Sequence, residues 1–278
     1  MPLLSLLACV RPPPVADDPG PASPPPEPTV QQRTEARLAS TAGGRLLQEA
    51  IDGHGGLEPW LQSGSLTFTF DYAPIGAPEK RRYTRNQVNL RSRHAVQEEL
   101  GPGADARLGW DGTEAWITPG PDAFPSSARF WATTPFYFVG LPWVLADEGT
   151  VHTVLEDTVV PLTGEERPLP TVKVTYEPGT GDAPDDFYVL HLHPDTHQIL
   201  AVRYIVSFPA YFPDGGHSPE KILRWSGHTT VDGLVFATHY DSHVWNDGTP
   251  GERTTTVAID DLALGPPLPD ASFRRPSP

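Results

Sequence analysis

The chain has 278 residues, of which 34 are Pro and one is Cys, and it carries a net charge of −15 with a pI near 5.0. A single Cys excludes an intrachain disulfide and a Cys-based zinc cluster, and the acidic balance makes nucleic acid a poor partner. No run of about 18 apolar residues occurs, so the sequence offers no membrane-spanning helix.

The chain opens Met-Pro-Leu-Leu-Ser-Leu-Leu-Ala-Cys, and Leu6-Leu7-Ala8-Cys9 resembles a bacterial lipobox. Residues 1–8 then read as a signal peptide and Cys9 as the lipidated residue. Only eight residues precede Cys9 and none is basic, which fits a start codon assigned too far downstream. Residues 10–33 are dense in Pro and poor in aliphatics; they read as an extended tether reaching at most about 75 Å. Val10, in place of the Asp that retains such proteins at the inner membrane, implies by analogy an outer-membrane lipid anchor on the periplasmic side.

Residues 34–264 read as one domain, followed by a Pro-rich tail over 265–278. The spacing of Leu38, Ala42, Leu46 and Ala50 predicts a helix over 34–52, ended by His54-Gly55-Gly56. Leu66, Phe68, Phe70 and Tyr72 alternate with polar residues and predict a half-buried strand. Residues 80–93 predict a polar strand with six basic residues and no acid. It places Arg81, Arg85, Arg91 and Arg93 on one solvated face that could meet anionic headgroups or an acidic protein partner. Strands are further expected over 106–110, 114–118, 171–177, 186–192, 198–208, 221–229, 234–245 and 252–260. The turns between them fall at Asp111-Gly112, Pro194–His197, Asp232-Gly233 and Asp247-Gly248. Hairpin spacing throughout predicts a mainly β, antiparallel (α+β) fold rather than βαβ units.

Residues 126–147 are the exception. This stretch holds Phe130, Trp131, Phe136, Tyr137, Phe138, Leu141 and Trp143, with Pro135 and Pro142 expected to break it into short helical pieces. It reads as a plug lining a hydrophobic cavity.

His54-Gly55-Gly56-Leu57-Glu58-Pro59-Trp60, then Ser65-Leu66-Thr67-Phe68, resembles the opening of a group of uncharacterised bacterial lipoproteins. Their domains look like the lipoprotein carriers LolA and LolB. Trp110-Asp111-Gly112, Pro135-Phe136-Tyr137-Phe138, Leu141-Pro142-Trp143, residues 186–196 and Val231-Asp232-Gly233 follow in the matching order. The resemblance spans roughly residues 35–264. It implies a curved antiparallel sheet, an incomplete β-barrel with helices over its open side and a cavity for acyl chains.

The expected ligand is therefore a lipid, a lipoprotein acyl chain or another amphipathic molecule. The residues assigned to the cavity or its lid are Phe68, Phe70, Trp116, Phe136, Phe138, Leu141 and Trp143. No nucleophile elbow, P-loop or dinucleotide motif is present, so the sequence assigns no catalytic residue and no cofactor. The alternatives are an envelope enzyme with a metal site at His191, His193 and His197, or a structural envelope protein that binds a protein partner.

Overall fold

The computed structural model describes residues 27–101, 105–124, 126–183 and 185–277. Cys9, the signal segment and most of the tether lie outside the described residues.

Among the described residues, twelve strands form a single antiparallel sheet. They are β1 (Ser65–Pro74), β2 (Arg82–Asn89), β3 (Ala95–Glu99), β4 (Arg107–Trp110), β5 (Ala115–Thr118), β6 (Thr150–Thr158), β7 (Leu169–Tyr176), β8 (Tyr188–Leu192), β9 (Ile199–Tyr204), β10 (Lys221–Val231), β11 (Leu234–Asn246) and β12 (Thr249–Gly265). Their order is β5-β4-β3-β2-β1-β12-β11-β10-β9-β8-β7-β6. The chain thus winds outward from β1 to β5, crosses, and winds back from β6 to β12, where it pairs with its own first strand. The sheet is curved but not closed: β5 and β6 are its two free edges.

The turns follow from the sequence. Asp232-Gly233 and Asp247-Gly248 all have positive φ, as a two-residue hairpin whose twist matches its strands requires. On β1, Leu66, Phe68 and Phe70 are fully buried while Thr67 and Asp71 are not, which is the expected alternation. Thr69 breaks it. A bulge against β12 turns this hydroxyl onto Asp261, and it is buried as well.

Four helices cover one face: α1 (Val30–Ala39), α2 (Ala42–Gly53), α3 (Leu57–Gln62) and α4 (Ala128–Gly140). The helix predicted over 34–52 is two helices. Thr41 caps α2 through its side chain on the Gly44 N–H. Gly43 then lies so close to the β6 backbone that a Cβ would come within 2.4 Å of His152. Gly43 is thus needed where α2 meets the sheet edge, and Gly44 where α2 packs on the Leu38 backbone of α1.

Three further expectations are corrected. The basic strand is shorter than 80–93: Arg91 and Arg93 fall in the turn after β2, and Arg93 adopts φ 59°. Of the four arginines expected on one face, only Arg85 stands on β2; Arg81 precedes the strand and pairs with Asp71 at 2.6 Å. Pro135 does not break the aromatic segment; α4 runs through it, and only Pro142 ends helical structure before a 3₁₀ turn at Trp143–Ala146. Strands β3 and β6 were not foreseen.

The main core lies between the sheet and the helices, with Phe68, Phe70, Phe136, Trp143, Phe236 and Tyr240 as its largest fully buried members. Separate small clusters surround Val160 and Ile222, Trp116 and Phe273, and Leu108 and Phe124. No described helix is long and apolar enough to cross a membrane.

Candidate functional site

α4 spans the molecule between the two halves of the sheet. One side packs over β3, β4 and β5. The other side faces β7, β8 and β9 without filling the space, and a cavity of about 310 Å³ remains there.

The walls come from several elements. Phe130, Thr133, Phe136, Tyr137 and Phe138 project from α4, and Leu141 follows it. Tyr176 ends β7, Tyr188 begins β8, and Val202 and Tyr204 stand on β9, with Leu223 behind them on β10. Tyr188 and Tyr204 are direct partners in the β8–β9 register. Cross-strand side chains on one face meet in this way, so the sheet presents a row of tyrosines to the cavity. Phe208, beyond β9, closes the side beside Phe130 at a ring separation of 5.3 Å.

Charged groups sit around this aromatic space. Arg93 lies over the Phe136 ring at 4.9 Å and pairs with Asp147 at 2.6 Å. Arg129 lies over Trp110 at 4.0 Å and pairs with Asp182. Asp186 accepts hydrogen bonds from the Ser207 N–H at 2.6 Å and the Ser207 hydroxyl at 2.7 Å, both on the same carboxylate oxygen. Burial raises the Asp186 carboxyl pKa, and the Ser207 bonds oppose the rise. Burial likewise raises Tyr176, Tyr188 and Tyr204, which all remain neutral phenols.

The residues assigned from sequence divide into three places. Phe136, Phe138 and Leu141 line the cavity. Phe70 stands behind Phe138 at 5.4 Å, Phe68 is in the core, and Trp143 is stacked on Trp60 at 4.8 Å with its indole N–H on the Gly56 carbonyl. Trp143 borders a second hollow of about 350 Å³ between α1 and α3, whose rim carries Arg33, Arg37 and Glu148. Trp116 is elsewhere, on edge strand β5, donating its indole N–H to the Phe273 carbonyl. Sequence reasoning missed Tyr176, Tyr188, Tyr204 and Asp186.

His191, His193 and His197 are not brought together as a ligand set. His191 is buried, bonded to Thr171 at 3.1 Å, and burial pulls its pKa down to about 3. His193 Nδ1 accepts from the Asp195 and Thr196 N–H groups of its own hairpin turn. His197 occupies the left-handed position of that turn, its Nε2 3.7 Å from Glu49. Among the described residues no three His, Cys, Asp or Glu side chains converge as metal ligands.

No protein-family model and no curated protein matches the chain. Solved structures do. A LolA superfamily protein from Nitrosomonas europaea superposes with a TM-score of 0.51 at 12% identity, covering 85% of this chain and 99% of that one. A DUF1329 family protein from Desulfovibrio piger gives 0.52 at 13% identity, covering 84% and 98%. The curved, unclosed sheet with helices across its open side is therefore a LolA-like fold.

Proposed function

We propose that the protein binds an amphipathic ligand, a lipid or the acyl chain of a lipoprotein, in the cavity between α4 and strands β7–β9. The observation that carries this is the cavity itself, walled by aromatic and aliphatic side chains and left unfilled between α4 and the sheet. Burial of apolar surface would drive binding, at about 0.8 kcal/mol per methylene, less the cost of ordering the chain. At 310 Å³ the space is at the lower end of the roughly 300–1,000 Å³ typical of small-molecule sites. It suits one chain rather than the several chains of a complete lipoprotein anchor.

We further propose that the protein works in the bacterial envelope, tethered through Cys9 at the outer membrane. The sequence around Leu6–Cys9 and the Pro-rich stretch behind it support this reading.

Native mass spectrometry of protein purified from membranes is expected to show a bound lipid, and a fluorescent fatty acid is expected to enter the apo protein. Thr133 faces the cavity from α4, so Thr133→Trp should fill it. That variant is expected to lose uptake by tenfold or more while its circular dichroism is unchanged. A protein free of lipid that takes up no fatty acid would refute the reading.

A further inference from the structure

The reading of the cavity as an amphiphile site leaves the chemistry of the polar head open, and the charges around the cavity bear on it. The two arginines in its wall already have their charge balanced, although Arg93 Nη1 keeps no hydrogen-bond partner. Each is already engaged, Arg93 by Asp147 at 2.6 Å and Arg129 by Asp182, and each also lies over an aromatic ring. Asp186 is different. Its carboxylate lines the same cavity, and among the described residues no Arg, Lys or His forms an ion pair with it.

Both Ser207 bonds fall on one oxygen of Asp186, so the group is fixed in position while its second oxygen keeps its acceptor capacity. Tyr176 and Tyr188 line the same cavity, their ring centroids 6.5 Å apart. Two charged side chains bear on it: its neighbour Asp185, and His217, which is exposed and bonded through Nδ1 to the Ser218 carbonyl. A fixed, half-buried carboxylate beside aromatic faces is the arrangement that recognises an ammonium group. The rings attract the cation through their quadrupoles and the carboxylate neutralises it.

We infer that the ligand is an amphiphile with a cationic head, a primary amine or a quaternary ammonium, seated against Asp186, Tyr176 and Tyr188 while its chain lies along Phe138 and Leu141. The protein's net charge of −15 favours the approach of such a ligand over that of a fatty-acid carboxylate.

The test is displacement of the neutral probe N-phenyl-1-naphthylamine by three twelve-carbon compounds kept below their micelle concentrations: dodecylammonium, dodecanol and dodecanoate. Dodecylammonium is expected to bind about tenfold or more tighter than the other two, the size of one charge-assisted contact. Asp186→Asn keeps an acceptor for Ser207 and should bring the dodecylammonium-to-dodecanol affinity ratio down to near one. The wild-type series decides the matter even if the variant does not fold. Equal displacement by all three compounds, or an amine preference that survives Asp186→Asn, would overturn the charge assignment alone. If none of the three displaces the probe, the amphiphile reading falls with it.

Discussion

His54 has both ring nitrogens engaged. Nδ1 donates to the Val235 carbonyl at 2.8 Å, and Nε2 accepts the Ile199 N–H at 3.0 Å. The ring is therefore a neutral imidazole, sandwiched edge-on between Trp143 and Trp225. It fastens the C-terminus of α2 to β9 and β11, and Gly55 lets the chain pass so close that a Cβ would lie 2.2 Å from the Gly233 carbonyl. The motif that looked like a helix stop is thus a tertiary pin. Burial lowers the His54 pKa to about 4. The unfolded chain takes up this proton near pH 6.5 and the folded chain only near 4. Stability is consequently full above pH 6.5 and declines as pH falls to about 4, by about 3 kcal/mol for this residue. His191, also buried, acts in the same direction. Urea midpoints measured from pH 7.5 to 4 should show the decline. His54→Phe should be less stable at pH 7.5, through two lost hydrogen bonds, and have a shallower slope. The difference between the two slopes separates His54 from the carboxylates, and equal slopes would exclude this role.

At the scale of elements, α4 shows how a helix tolerates an internal proline. Pro135 has no N–H, so the Trp131 carbonyl one turn earlier loses its helical partner. The buried side chain of Gln97, on β3, donates its amide to that carbonyl. The bond also joins the helix to one half of the sheet. Gln97→Met should leave the Trp131 carbonyl unsatisfied and cost about 1–3 kcal/mol. Pro135→Ala should recover part of the loss in the Gln97→Met background, because it restores a backbone donor. A double-mutant cycle of thermal melts measures this coupling, and simple additivity would show that Gln97 does not substitute for the missing donor.

The same scale explains what the sequence could reveal. β1 and the β10–β12 hairpins have a buried and an open face, and their Asp-Gly turns announce themselves, so alternation finds them. β6 is a free edge on which Val151 and Val154 are exposed, and no half-buried pattern exists to read. The cavity divides likewise. Phe136, Phe138 and Leu141 belong to one dense run and stand out locally. Tyr176, Tyr188 and Tyr204 lie on three strands, and Asp186 in a loop before the second of them. Only the β7-β8-β9 order and the β8–β9 register bring them to one wall. The signal available in advance was their shared parity with the core residues Val174, Leu190 and Val202.

At the scale of the molecule, the crossing between the two free edges matters most. The chain leaves β5, forms α4 and enters β6, so the covering helix is joined through the chain to both edge strands, while the Tyr240 hydroxyl of central strand β11 donates to its Phe138 carbonyl. The β5 end is held in turn by the last residues of the chain. Asn89 exchanges two hydrogen bonds with the Leu268 backbone, at 2.9 and 2.8 Å. Phe273 is fully buried against Trp116 and Val96, and Arg275 reaches the Ile117 carbonyl. The Pro-rich end therefore packs as part of the fold, with Phe273 against side chains of β3 and β5. Phe273→Ala should cost about 3–5 kcal/mol and increase quenching of Trp116 fluorescence by iodide. It should leave amphiphile affinity within about twofold, because the cavity walls belong to other strands. Loss of binding without loss of stability in this variant would mean that the two edges communicate through α4, and the cavity would then have to be regarded as dependent on the docked chain end.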